Sequence, residues 1–342
     1  MVGRRKQPKI ASKRRKFQNN TGDESKDDRI SALPSCVLLE ILSRLPTIKD
    51  AIRTGALSNR WKHLWTLVPI LIFKGRVPNV SGSDFVSFVD KTLIQCRQSK
   101  LTKFEVESRD IRRFASQVNN WIRYAISCNV EELKLELWKP VHEAGFPLDQ
   151  LFFSASSFTH LRLEGCMFNP TGAISWKNLR SLSISYGKLD EDLIENILSG
   201  SPVLETLVLD YCEDYRRLNI TSKSLKNLVF SGYIDYLDPL NVGSIEINAP
   251  HISSLTIKCC LSLWKPLLVN VSSLVEANLY YTLYDHYETS TLDEAEEEML
   301  KGLMLNLCRV KELTFNFGDE CSKTFSRLKD KGFTIPSNAK FH

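Results

Sequence analysis

The chain has 342 residues, 43% hydrophobic and 25% charged, with a formal net charge of +5, an ordinary globular composition with room for two or three domains. No apolar run approaches the ~18 residues of a membrane span, and the polar, basic N-terminus lacks the apolar centre of a secretory signal. Nine cysteines, an odd count with no Cys-x-x-Cys pair and no histidine at ligand spacing, point to reduced thiols rather than a disulfide framework or a metal site.

The charge is unevenly placed. Residues 1–16 hold eight of the 45 basic residues and no acid, which leaves 37 basic against 40 acidic residues in the rest. A basic disordered tail is expected over 1–27. Arg4, Arg5 and Lys6, then Lys13, Arg14, Arg15 and Lys16, have the two-cluster arrangement of a nuclear-import signal, a cationic arm that suits acidic grooves on an importin. The expected location is the nucleus, with the cytoplasm second. No aromatic residue precedes Phe17, which disfavours nucleic-acid contact.

Residues 28–72 pack three short helical patterns into a stretch too small for a comfortable core of its own. Pro34 suits the start of a helix, where a missing N–H costs nothing. Val37, Leu38, Ile41, Leu42 and Leu45 form its apolar stripe, and Leu45-Pro46 ends it. Thr47 and Asp50 have the spacing of a capping box, so a second helix should begin at Ile48, loosened by Gly55 at its end. Ser58 or Asn59 can cap a third helix carrying Trp61, Leu64 and Trp65.

Leu33-Pro34, Leu45-Pro46 and Arg60-Trp61 occur in this order, and the stretch resembles an F-box. The resemblance implies docking onto a Skp-family adaptor and, through it, a cullin-RING ubiquitin ligase. The residues it singles out for docking are Leu33, Pro34, Val37, Leu38, Ile41, Leu42, Leu45, Pro46 and Trp61. Some of these must face the module's own core.

A helical linker is expected over 73–100, then an array over 101–318. One pattern (apolar, two residues, apolar, one residue, apolar) recurs nine times, from Leu101/Phe104/Val106 to Val310/Leu313/Phe315. Its spacing fits the ~20–29-residue period of leucine-rich repeats, apart from a long last interval. Cys166, Cys212 and Cys260 fall where that template places a small polar residue at the inward turn. Helices are expected over 84–98, 111–128, 190–198 and 294–308, the third capped by Asp190 with Gly200 beyond its end.

Trp176 to Asp210 is similar to the core of plant F-box proteins with leucine-rich repeats, and 304–318 resembles the start of the FBD region that often ends them. Residues 319–342 depart from that pattern and read as a C-terminal extension. The fold class expected is α/β: a small three-helix F-box followed by an irregular solenoid with a curved parallel sheet.

Strand alternation aims one set of residues at the concave face. The first three repeats give mixed charges there. The middle is small and polar, and Ser183, Ser185, Asp210, Asn227, Lys258 and Tyr280 are the expected substrate-facing residues. Tyr281, Tyr284, His286 and Tyr287 crowd an inserted loop, read as a lid on the array.

No phosphate-cradling loop, nucleophile elbow or paired-carboxylate context emerges, so neither enzymatic activity nor a cofactor is expected. The resemblance implies the substrate-recognition subunit of an SCF-type ligase, with a protein target on the repeats and no membrane partner. Two alternatives stand beside it: an adaptor-binding scaffold, and a small-molecule-gated receptor that does not itself direct degradation.

Overall fold

The computed structural model describes residues 30, 33–75, 81–97, 100–108, 112–137, 145–232, 243–259, 264–281, 294–316 and 319–341. The basic tail with its import-type clusters, Cys260, and Tyr284, His286 and Tyr287 of the insertion lie outside these residues.

The N-terminal helices form as their end signals dictate. Pro34 is the N-cap of α1 (Ser35–Ser43). Thr47 caps α2 (Ile48–Arg53): its hydroxyl accepts the Asp50 N–H at 3.3 Å and donates to Asp50 Oδ2 at 2.6 Å. A 3-10 turn, Thr54–Ala56, follows, so the chain tightens at Gly55 instead of simply fraying. The third helix, α3 (Trp61–Leu64), is a single turn extended by a 3-10 turn at Trp65–Leu67. The Ser58 carbonyl accepts the N–H groups of Trp61 and Lys62 at its start.

The strands that follow are β1 (Ile70–Lys74), β2 (Lys103–Ser108), β3 (Glu132–Leu137), β4 (Phe146–Pro147), β5 (His160–Glu164) and β6 (Cys166–Met167). Next come β7 (Ser181–Ser185), β8 (Thr206–Cys212), β9 (Arg217–Asn219), β10 (Asn227–Gly232) and β11 (Gly243–Asn248). The last are β12 (Ser254–Cys259), β13 (Trp264–Asn270), β14 (Glu276–Tyr281), β15 (Glu312–Asn316) and β16 (Ala339–Phe341).

Eleven of them form one parallel sheet in the order β1-β2-β3-β5-β7-β8-β10-β12-β14-β15-β16. The nine expected repeat strands are all present, and the sheet gains β1 before them and β16 after them. The middle apolar residue of each repeat falls in one row: Leu71, Phe104, Leu133, Leu161, Leu182, Leu207, Leu228, Leu255, Ala277 and Leu313 pair successively with no stagger. All ten are buried. A one-residue slip would turn this whole row to solvent, which fixes the register.

The convex backing is mixed. The helix α4 (Gly82–Gln95) starts two residues before its expected limit and stops three short of it, and α5 (Ala115–Ser127) starts and stops inside its expected limits. Ser81 caps α4 through the Asp84 N–H, and Trp121 Nε1 of α5 donates to Asp90 Oδ1 of α4 at 2.6 Å. Further on are α6 (Glu191–Gly200), α7 (Glu294–Asn306) and α8 (Asp319–Asp330). Asp190 caps α6 as expected, but Gly200 is its last residue and not the residue beyond it. In the middle of the array a second parallel sheet, β13-β11-β9, takes the place of helices.

Candidate functional site

The helical stripe of α1 divides into two faces. Leu38 (0% exposed), Leu42 (2%) and Trp61 (2%) belong to the protein's own core. These three leave the expected docking set, because a side chain held in that core has no surface to offer a partner. Val37 (40%) and Ile41 (39%), one turn apart, face solvent with Pro34 and Pro46, while Leu33 and Leu45 are half-buried. Pro34, Val37 and Ile41, at i, i+3 and i+7, make one exposed ridge. Arg60 Nη2 donates to Ser35 Oγ at 3.1 Å and draws the loop before α3 to the N-terminal end of α1. That loop carries Leu57, 66% exposed, an apolar residue off the helical stripe that periodicity does not flag.

The base of this module is fixed to the array. Leu42, Leu45, Ile48 and Ala51 share an apolar cleft with Ile70 and Ile72 of β1. Arg97 N donates to the Thr66 carbonyl at 2.9 Å, a second tie between the last N-terminal turn and the end of α4.

The concave face changes character along its length. Over the first repeats it is an ion ladder. Glu105, only 6% exposed, accepts from Lys134 at 3.0 Å and from Lys103 at 3.2 Å, Lys134 reaches Glu136 at 3.0 Å, and Arg162 lies 3.8 Å from Glu136. Burial alone would raise the Glu105 pKa, but the lysine hydrogen bonds and charges outweigh it and hold the carboxyl below the usual glutamate range. The charges satisfy one another and leave little to offer a partner.

Past this ladder, Ser185, Asp210, Ser231, Lys258 and Tyr280 stand side by side on successive strands. The structure thus brings four of the expected substrate-facing residues into one row. Ser231, which the same alternation aims at this face, links the row: its hydroxyl donates to Asp210 Oδ1 at 2.5 Å. Lys258 Nζ lies 5.9 Å from the centre of the Tyr280 ring, within cation–π reach. Ser183 belongs to the adjoining row with Val208 and Val229. Asn227, at the other end of its strand, donates to Thr206 Oγ1 at 3.1 Å and stands apart from the row.

Two residues outside the expected set adjoin it. Tyr186 and Tyr211, at the ends of β7 and β8, have φ of 56° and 51°, and their rings stack with centroids 5.5 Å apart and planes 11° from parallel. Gly165 occupies the equivalent place one repeat earlier, with φ 68°. Tyrosine in that left-handed region costs roughly 1–2 kcal/mol per residue, where glycine is nearly free. The sequence signal was the seventh residue after each repeat's first apolar position, which reads Gly165, Tyr186, Tyr211 in successive repeats.

The cysteines at the inward turns are structural where described. Cys212 Sγ donates to the Ile184 carbonyl at 3.4 Å, and burial drives the Cys166 thiol far above its ordinary value. Among the described residues no group of three or more His, Cys, Asp or Glu could hold a metal ion.

Comparison with known proteins agrees with this division. The F-box domain model matches residues 30–73, and the LRR domain described as At1g61320/AtMIF1 matches 91–314. F-box/LRR-repeat protein At5g02910 of Arabidopsis thaliana is 34% identical over 319 residues, which cover 90% of this chain and 66% of that protein. F-box protein At5g03100 of the same plant is 34% identical over 317 residues, 90% of this chain and 94% of the relative. F-box/LRR-repeat protein 25, also from that plant, is 33% identical over 235 residues, 68% of this chain and 86% of the relative. With its N-terminal helices and its repeat sheet both matched, the chain belongs to the F-box/LRR-repeat proteins, a non-catalytic family.

Proposed function

We propose that this chain is the substrate-recognition subunit of an SCF-type cullin-RING ubiquitin ligase, its F-box docking a Skp-family adaptor and its repeats holding a protein target. The observation that carries the reading is the exposed Pro34/Val37/Ile41 ridge on a module whose opposite face is seated on the repeat sheet. Apolar side chains left outside a core that is otherwise closed suit a partner surface. The rigid seat matters as much. A target on the concave face is then held at a fixed offset from the adaptor, and the chain contributes by raising the local concentration of a target lysine near the ubiquitin-bearing enzyme.

The test is co-purification with a plant Skp-family adaptor, wild type beside the Val37→Asp/Ile41→Asp double variant, with folding followed by circular dichroism. A stoichiometric complex lost in the folded variant is expected. A folded variant that still forms the complex would overturn the assignment of this ridge, and no complex from wild type would overturn the ligase reading itself. For the tail, the proposal is nuclear import through the clusters at 4–6 and 13–16. A fluorescent fusion that stays nuclear after deletion of residues 1–16 would refute it.

A further inference from the structure

We propose that the edge of the array from which the sheet strands start binds an acidic segment of the target, an inference that rests on the substrate-recognition reading above. The first observation is a line that the backbone draws. The strands are parallel and in register, so the residues that lead into them gather at one edge. There the Arg180 carbonyl accepts the Glu205 N–H at 2.8 Å, and the Glu205 carbonyl accepts the Lys226 N–H at 2.9 Å. The Lys226 carbonyl accepts the Ser253 N–H at 2.8 Å, Ser253 accepts Val275 at 2.9 Å, and Val275 accepts Lys311 at 2.8 Å. Arg180 and Lys311 thus stand five strand steps apart on one line, about 24 Å at ~4.8 Å per step.

The second observation is charge. Lys177, Arg180, Lys223, Lys226, Arg309 and Lys311 lie on this edge and are all exposed. The segments that lead into β7, β8, β10, β12, β14 and β15 hold one acid against them, Glu205, which is bound to Arg180. Lys226 Nζ donates to the Lys223 carbonyl at 2.9 Å, so those two cations are held together. The acids nearest the line belong to the concave face: Glu276 accepts from Asn278 at 2.8 Å, and Glu312 lies 4.0 Å from Lys340. Gathered like charges repel, and over β2 and β3 this fold sets carboxylates among its lysines to answer that. On the edge an anionic partner takes that part. The partner's class follows from what lies between the cations. Val203 and Val275 are 38% and 41% exposed there, and the one aromatic residue of these segments, Trp176, is buried and offers no base a stacking surface. Cations interrupted by aliphatic side chains suit an acidic polypeptide with aliphatic residues of its own. From the edge such a segment reaches Ser181, Thr206, Asn227 and Ser254, the uncharged first residues of β7, β8, β10 and β12.

The test uses the full chain at constant ionic strength and three fluorescein-labelled probes read by anisotropy: Glu-Leu-Glu repeated three times, Arg-Leu-Arg repeated three times, and a DNA strand of nine thymidines. Lys177→Glu/Lys223→Glu/Lys226→Glu reverses the edge, and Lys177→Gln/Lys223→Gln/Lys226→Gln removes its charge without adding repulsion. Lys74→Glu/Lys91→Glu/Lys265→Glu makes the same change in net charge at exposed lysines elsewhere. The basic tail is common to all, so a difference between variants reports the edge. The Glu peptide should bind wild type at least tenfold more tightly than the Arg peptide. Reversal should cost at least tenfold in Glu-peptide affinity and neutralisation at least threefold, both with Tm unchanged, while the control variant binds like wild type. Undiminished Glu-peptide binding after reversal would overturn the docking edge, and so would an equal loss in the control variant or equal binding of the two peptides by wild type. A larger loss for the DNA strand than for the Glu peptide on reversal would make the edge a nucleic-acid surface and overturn the polypeptide assignment. The assay needs no adaptor, so its failure beside an intact adaptor complex sinks this edge alone.

Discussion

Ile70, three residues past the end of the last N-terminal turn, pairs in register with Lys103 on the first expected repeat strand. The F-box therefore does not hang on a flexible linker. Its exit strand is the first strand of the repeat sheet, and Ile70 and Ile72 present their side chains to α2 and the end of α1.

One consequence is thermodynamic. Ile48 is 2% exposed in that seam, and truncating a buried isoleucine to alanine costs about 2–5 kcal/mol. Ile48→Ala should lower Tm while the protein still unfolds in one transition, with tryptophan fluorescence and far-UV dichroism coincident, because Trp61 and Trp65 share a core with the sheet. Two separated transitions in wild type would show that helices and array fold independently.

Neighbouring positions on α1 should behave oppositely. Leu38 is fully buried and Val37 is 40% exposed. Leu38→Ala should destabilise by about 2–5 kcal/mol in urea melts. Val37→Ala should change stability by no more than about 0.5 kcal/mol but weaken adaptor binding by roughly 1–2 kcal/mol in titration calorimetry. If Leu38→Ala proved the milder change in stability, the two faces would be the reverse of what the structure shows.

The two-faced helix also shows what a sequence can and cannot disclose. The spacing of Val37, Leu38, Ile41 and Leu42 gives a broad apolar stripe, but adjacent i, i+4 pairs do not say which pair meets the core. The repeat strands were legible because each sets two apolar residues around an outward one, and buried rows of that kind admit one register. The same spacing at Val68/Leu71/Phe73 marks β1, yet it lies inside the F-box pattern and was absorbed by it. Ala339 and Phe341 of β16 are too degenerate to stand out, and the short strands of the back sheet have no period. In the candidate site, the row from Ser185 to Tyr280 followed from alternation alone. The tyrosine pair did not, because a left-handed φ is a backbone fact that a tyrosine does not announce.

The ion ladder predicts a pH dependence. The Glu105 pKa is lowered in the folded protein, where the pull of Lys134 and Lys103 overcomes burial. Its contribution is therefore fully present above the ordinary glutamate value of about 4.3, and is lost as pH falls through the lower folded value. Lys134 is shifted the other way. Burial opposes the shift, but Glu136 and Glu105 outweigh it and raise its pKa, so its contribution is lost only as pH rises through that raised value. Glu105→Gln should cost about 1–3 kcal/mol at pH 7 and flatten the acid limb of a Tm-versus-pH curve. An unchanged acid limb would place the stabilising carboxylate elsewhere.

Gly200 offers a test in which local and tertiary effects have opposite signs. It closes α6, and within a helix a glycine-to-alanine change ordinarily stabilises by about 0.5–1 kcal/mol. Here the added methyl carbon would fall 2.3 Å from the Ile174 carbonyl oxygen and 2.7 Å from its carbon. That carbonyl is backbone and has no rotamer to escape into. Gly200 also accepts the Trp176 N–H at 2.9 Å, and the Trp176 indole is fully buried and donates to the Phe152 carbonyl at 3.0 Å, so moving α6 outward would disturb three repeats at once. Overpacking should prevail, and Gly200→Ala should destabilise by about 1–3 kcal/mol in urea melts. Gly302, with nothing within 4 Å of an added methyl, is the control: Gly302→Ala on α7 should be neutral or stabilising. Should Gly200→Ala match that control, the close approach of α6 to the Ile174 backbone is not what selects glycine.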